Sequence, residues 1–89
     1  MSVLAVDIES MLRAALEPAE LAVRDDSHLH AGHAGASEGS HFTVVLSSQR
    51  FAGLSRVARH RLVYDALAPL MMRGGIHALA IDARVPTDD

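Results

Sequence analysis

The sequence predicts an α+β domain of order α-β-β-α-β, with both helices on one face of a three-stranded sheet. Three observations carry that expectation. Residues 3–16 and the stretch from Ser55 to about Met71 place apolar side chains at helical spacing. Residues 19–25, 41–47 and 76–84 alternate apolar and polar positions, as half-buried strands do. Glu17-Pro18 and Gly74-Gly75 fall where helical patterns must stop, because proline disfavours helical ψ in the residue before it and glycine suits a helix C-terminus.

In the first helix Leu4, Ile8, Leu12 and Ala15 share a face, with Met11 beside them and Ser2 a candidate cap. Asp7 and Glu9 near its start suit the helix dipole. The first strand turns Ala19, Leu21 and Val23 inward, and the second turns Phe42, Val44 and Leu46 inward. Being sequential, the two are expected to pair as an antiparallel hairpin. Between them runs a long, small and polar stretch from Ser27 to Ser40, too long for a tight turn and of the kind that carries function.

Phe51-Ala52-Gly53-Leu54 is expected to turn and pin the next helix to the core. Ser55 is its candidate N-cap. Leu62, Val63, Ala66, Leu67, Leu70 and Met71 form a broad apolar stripe, and Pro69 is expected to kink or shorten the helix by removing a backbone donor. In the last strand His77, Leu79 and Ile81 share one face, and Ala78, Ala80 and Asp82 the other; residues 86–89 read as a short tail. Residues 1–89 read as one domain, and a chain of this length buries roughly 60–65% of the surface its unfolded form exposes.

Composition narrows the chemistry. Apolar content of 49% with 21% charged residues is ordinary for a soluble protein. The absence of cysteine excludes disulfides, thiolate ligands and a cysteine nucleophile from this chain. No signal peptide or membrane span is visible, so a cytoplasmic location is expected. A net charge of −3 opposes nonspecific binding to phosphate backbones, and three aromatic residues offer few platforms for stacked bases. All eight cations are arginine.

Two clusters stand out. Arg56, Arg59, His60 and Arg61 crowd the first turns of the second helix, the wrong end for cations because the dipole places positive charge there. An anion or an acidic partner would compensate them; the bland alternative is solvated arginines with stems over apolar neighbours. The second cluster is histidine: six in all, with His28, His30 and His33 in the long connection, His41 at the start of the second strand and His77 in the third. Imidazole is the commonest protein metal ligand and titrates near neutral pH. The spacing His28-x-His30-x2-His33 matches no standard zinc signature, and no carboxylate ligand is obvious. Each loop histidine alone is better read as a surface residue, and His77 as a core-edge histidine or a ligand held by a strand. The G-x-x-G at Gly32–Gly35 joins strands rather than helices and lacks flanking cations, unlike the nucleic-acid clamp of a KH domain. Ser27-His28 and Ser40-His41 lack an orienting acid and a nucleophile elbow, so an enzyme is not expected.

Taken together, Asp26-Ser27-His28, Gly32-His33, Ser40-His41-Phe42, Phe51 to Ser55, Arg59-His60-Arg61-Leu62-Val63-Tyr64 and Ile76-His77-Ala78-Leu79 resemble the BolA family, in family order, from about Leu12 to Pro86. The resemblance implies an αββαβ class II KH-like fold. It implies partnership with a monothiol glutaredoxin, in which a [2Fe-2S] cluster bridges the two proteins and the glutaredoxin supplies a cysteine together with glutathione. Carried to this sequence, the ligands are His77 and a loop histidine, His33, with His30 and His28 as alternatives; lacking cysteine, the chain is similar to the branch with a histidine in its loop. Imidazoles in place of two thiolates raise a cluster's potential, as in Rieske centres. The resemblance also implies an alternative, transcriptional regulation by DNA binding, with Arg56, Arg59, Arg61 and Arg73 meeting phosphates; together with His60 and Tyr64 these are the residues expected to bind a protein partner or nucleic acid. Alone, the chain is expected to be a monomer or weak homodimer, with no tightly bound cofactor.

Overall fold

A computed structural model describes residues 5–26, 40–72 and 76–86, with Ser40 and His77 described in their backbone only. The elements are α1 (Ala5–Leu16), β1 (Glu20–Asp25), β2 (Ser40–Ser47), a 3₁₀ turn (Gln49–Phe51), α2 (Arg56–Ala66), α3 (Ala68–Met72) and β3 (Ile76–Arg84). The sheet order is β1-β2-β3. β1 and β2 pair antiparallel, as expected of sequential strands, and β3 joins the other edge of β2 in parallel. The α+β architecture and the element order follow the sequence pattern.

The core lies between the helices and one sheet face. Ile8, Leu12 and Leu16 of α1 and Val63, Leu67 and Leu70 of the α2–α3 region pack with Phe42, Val44 and Leu46 of β2 and with Phe51. In α1 the buried column is Ile8-Leu12-Leu16, so Leu16 takes the place expected of Ala15, which is exposed. The larger side chain one position on reaches the layer that alanine cannot. Ala19, expected to face inward, is exposed; it precedes β1 and donates its N–H to Ser47 O (2.8 Å). Leu21 and Val23 keep the alternation.

Glu17 ends α1 in the left-handed region (φ 46°), donating to Arg13 O (3.2 Å), and Pro18 prevents continuation. Ser55 caps α2 as expected, accepting from Ala58 N (3.1 Å). Gly53 sits at φ 77°, a conformation that side-chain-bearing residues adopt at a cost, and lets the chain turn from Phe51 into α2.

Pro69 does more than shorten the second helix: it divides it. Proline has no N–H for the carbonyl four residues back, so the helix closes at Leu67, whose N–H is shared between Val63 O and Tyr64 O (both 3.1 Å). A short helix then restarts, with Leu70 and Met71 donating to Leu67 O (2.9 and 3.0 Å). The apolar stripe survives the break, because Leu67 and Leu70 are both buried. α1, not the second helix, is therefore the longest, at 12 residues. Ser2, Leu4, Gly74-Gly75 and residues 87–89 lie outside the described residues.

Ser48 locks these parts together. It is 1% exposed. Its Oγ donates to Leu16 O (2.7 Å) and accepts from Arg50 N (3.1 Å), while its N–H donates to Arg84 O (2.9 Å). Ser48→Ala keeps the backbone bond but leaves a buried carbonyl and N–H without this partner. It should cost roughly 1–3 kcal/mol, measured by urea denaturation as a lower midpoint at unchanged slope.

Candidate functional site

The parallel pairing of β3 with β2 decides what can meet what. Because the two strands start at the same end of the sheet, Ser40 lies opposite Ile76 and His41 opposite Ala78. The register shifts between those pairs, so β3 spends one extra residue, His77, against the start of β2. This shift also explains why Ile76 is buried although it is out of step with Leu79 and Ile81. Strict alternation, which groups His77 with Leu79, therefore does not run through the start of the strand.

The stretch holding His28, His30 and His33 leaves β1 and enters β2 at this same end. Its two described anchors touch: Asp26 N donates to His41 O (2.7 Å). The Asp26 carboxylate also accepts from Arg24 Nε (2.6 Å) and from the Thr43 hydroxyl, and Arg24 Nη2 reaches Thr43 Oγ1 (3.4 Å). The hydrogen bond with Asp26 and the attraction of its charge push the Arg24 guanidinium above its ordinary value. Sequence reasoning missed this polar knot. Arg24 and Asp26, two apart at the end of β1 and just past it, were a signal for it, but Thr43 joins only through the β1–β2 register. The three loop histidines themselves lie outside the described residues, as does the side chain of His77. Among the described residues no three histidine, aspartate or glutamate side chains converge as a metal site.

The donor chemistry of this end fits a shared metal group. The chain can offer neutral imidazoles but no thiolate. One of those imidazoles belongs to His77, whose backbone is the extra residue of β3 between the pairs Ser40–Ile76 and His41–Ala78.

The basic cluster is at the opposite end of β3. An open cleft of about 630 Å³ lies between the start of α2 and the strand, lined by Leu54, Arg56, Arg59, His60, Ile81, Asp82 and Ala83. Arg59 is not a free cation. Half-buried, it donates from Nε to Leu54 O (3.0 Å) and from Nη1 to Ala83 O (3.2 Å), tying the turn before α2 to the end of β3. Arg56 and His60 line the same cleft; Arg61 and Tyr64 are exposed but do not. Arg73 lies outside the described residues. The cleft's one acid, Asp82, was also missed from sequence. Arg84 grips it from Nε (2.9 Å) and Nη2 (2.6 Å). That hydrogen bonding holds the Asp82 carboxyl below the usual carboxylate range against a smaller opposing cost of desolvation, with the charges of Arg84 and Arg56 adding to the effect. Its contribution is complete above the ordinary carboxylate value and is lost as pH falls through the lower folded one.

Lysine has one compact donor group and cannot span two carbonyls as a guanidinium does. Arg59→Lys should therefore destabilise the fold by about 1–3 kcal/mol, whereas Arg56→Lys should stay within about 0.5 kcal/mol of the parent, both measured by thermal denaturation.

A family profile described as BolA-like protein matches residues 12–88. A Sinorhizobium sp protein named "Uncharacterized protein in cobS 5'region" is 44% identical over 82 residues, covering 89% of this chain and 87% of that protein. Human BolA-like protein 1 is 47% identical over 79 residues, covering 89% of this chain but 56% of its own length. The solved BolA domain of SufE1 from Arabidopsis thaliana superimposes with a TM-score of 0.78 at 44% identity, covering 92% of this chain and 91% of that one. No helix among the described residues is long and apolar enough to cross a membrane.

Proposed function

The chain belongs to the BolA-like family, and from that premise we propose that it is a cytoplasmic adapter that pairs with a monothiol glutaredoxin and co-ligates a bridging [2Fe-2S] cluster. The observation that carries this reading is the parallel register of β2 and β3. It sets His77 against the start of β2, where the histidine-bearing connection enters the sheet. His77 and one of His33, His30 or His28 are the ligands on this side, and a cysteine and glutathione complete the set from the partner. The likeness to the BolA domain of a protein named SufE1 favours an iron–sulfur setting.

The division of ligands makes physical sense. A chain without cysteine cannot hold an iron–sulfur cluster by thiolates, and the family resemblance assigns its share of such a site to imidazole, as on the histidine-bound iron of Rieske centres. When bound, a cluster with mixed imidazole and thiolate ligation would supply a raised redox potential and, through protonation of the imidazoles, a route to release. The residues of this chain do the positioning. The pairing of Ile76 and Ala78 on either side brackets the His77 backbone, and the Arg24–Asp26–Thr43 knot holds the exit of the loop.

A second reading, DNA-binding regulation, is favoured by one feature: Arg56 and Arg61 are exposed on the first turns of α2, whose first turn holds no acid. Arg59, committed to two carbonyls, is not free to add a phosphate contact without loosening the fold. That reading requires duplex DNA binding that weakens steeply with salt, reading out the number of phosphates neutralised.

The first reading is tested by anaerobic cluster reconstitution of the chain together with a monothiol glutaredoxin, followed by visible circular dichroism. A heterodimer whose spectrum differs from that of the glutaredoxin homodimer is expected. His77→Ala should change that spectrum or accelerate cluster loss while far-ultraviolet dichroism of the isolated chain stays the same. An unchanged visible spectrum in the His77→Ala complex would remove His77 from the ligand set.

A further inference from the structure

We infer that the outer edge of β3, with the basic cleft beside it, is a docking site for an extended acidic segment of a partner protein, added to the sheet as a fourth strand. The argument starts from two carbonyls. Arg84 O accepts from Ser48 N, just past the end of β2, so it faces the sheet. Ala83 O accepts from Arg59 Nη1 and faces away from it. Backbone groups alternate sides along a strand, so the N–H and C=O of Ile81 and Leu79 share the outward side of Ala83. The sheet ends at β3, and no described residue pairs with the strand on that side beyond Arg59. An edge of this kind is a template for another chain unless it is blocked.

What surrounds the edge selects the occupant. Proteins protect edges with charges, prolines or covering loops. Here the edge residues Leu79 and Ile81 are half-buried apolar side chains in a nine-residue strand without proline. The charges lie instead at one end, where Arg59 closes the strand and Arg56 and His60 flank it. The only acid among the described residues that line the cleft is already gripped by Arg84, so this lining is locally positive on a chain whose net charge is −3. An extended amide backbone satisfies the ladder groups of Leu79 and Ile81, and a carboxylate on it meets the Arg56 guanidinium; this is strand addition with a charged selector. A nucleic acid could meet the charges but has no amide ladder to offer. A second copy of this chain paired through β3 would bring as its one carboxylate Asp82, which Arg84 already holds.

The test uses the full chain labelled with ¹⁵N, without metal or glutaredoxin, so its outcome is independent of the cluster reading. The probe is a short synthetic peptide alternating valine and glutamate, titrated by NMR at low salt. Saturable shifts of the Leu79 and Ile81 amides are expected, with slower hydrogen exchange at both. Methylating the peptide on alternate backbone nitrogens should abolish binding in one register and spare it in the other, since only one register donates to β3. Arg56→Glu should weaken binding about tenfold, the order expected for losing a charge-assisted contact. The inference is overturned by no saturable shift at millimolar peptide, by equal binding of both methylated registers, or by shifts confined to β1. It is likewise overturned if duplex DNA shifts the first-turn amides of α2 while the peptide leaves Leu79 and Ile81 unmoved, or if those amides are already masked by self-association.

Discussion

Ser48 is the joint on which the arrangement of the domain depends. A small α+β domain must stop a helix, leave a central strand and enter a second helix within little space, and every backbone group buried in doing so needs a partner. One serine serves three of them: the C-terminal carbonyl of α1 at Leu16, the N–H of Arg50 in the 3₁₀ turn, and the last carbonyl of β3 at Arg84. No other side chain of that size both donates and accepts through one oxygen. From this joint Phe51 drops into the core with no exposed surface, and Gly53 releases the chain toward Ser55 and α2. The position of α2, and so of the cleft at its start, is inherited from there.

Arg59 extends the same logic. Its guanidinium joins the turn before α2 to the carbonyl edge of β3, and in doing so it ends the strand's exposed edge at Ala83. A basic residue at a helix start, unfavourable by the dipole argument, is compensated here by two carbonyl oxygens rather than by an anion. That halves the functional content of the arginine cluster: Arg59 belongs to the fold, Arg56 and His60 to the cleft, and Arg61 to solvent.

Local patterning made much of this legible. Period-two alternation located all three strands, helical spacing located the core faces, and Ser55 and Pro69 acted as their chemistry requires. What pattern could not supply was pairing. The edge joined by β3, its parallel direction and the extra residue at His77 are set by contacts between distant segments, which no local period encodes. The Asp26–Thr43 and Arg59–Ala83 contacts were invisible for the same reason. Ala15 and Ala19 show a smaller failure: period assigns a face, but the depth of burial at an element's end depends on what packs there. The histidine types and the basic cluster could be found from residue identity; which of them share an end of the sheet could not.

β3 thus carries two different surfaces on one strand. His77 begins it beside the start of β2, and the cleft lies around Ile81, Asp82 and Ala83. Five residue steps along the strand from His77 to Asp82 separate the two by roughly 16 Å at about 3.3 Å per residue. A single rigid contact of small area cannot cover both ends, whereas an extended segment laid along Leu79 and Ile81 spans that distance naturally. Substitutions at the two ends lie farther apart than coupled sites usually do, so their effects on stability should add. A partner that engages only the histidine end should leave the cleft's response to charge intact. One that runs along the strand should couple them, because a single partner segment then contacts both ends.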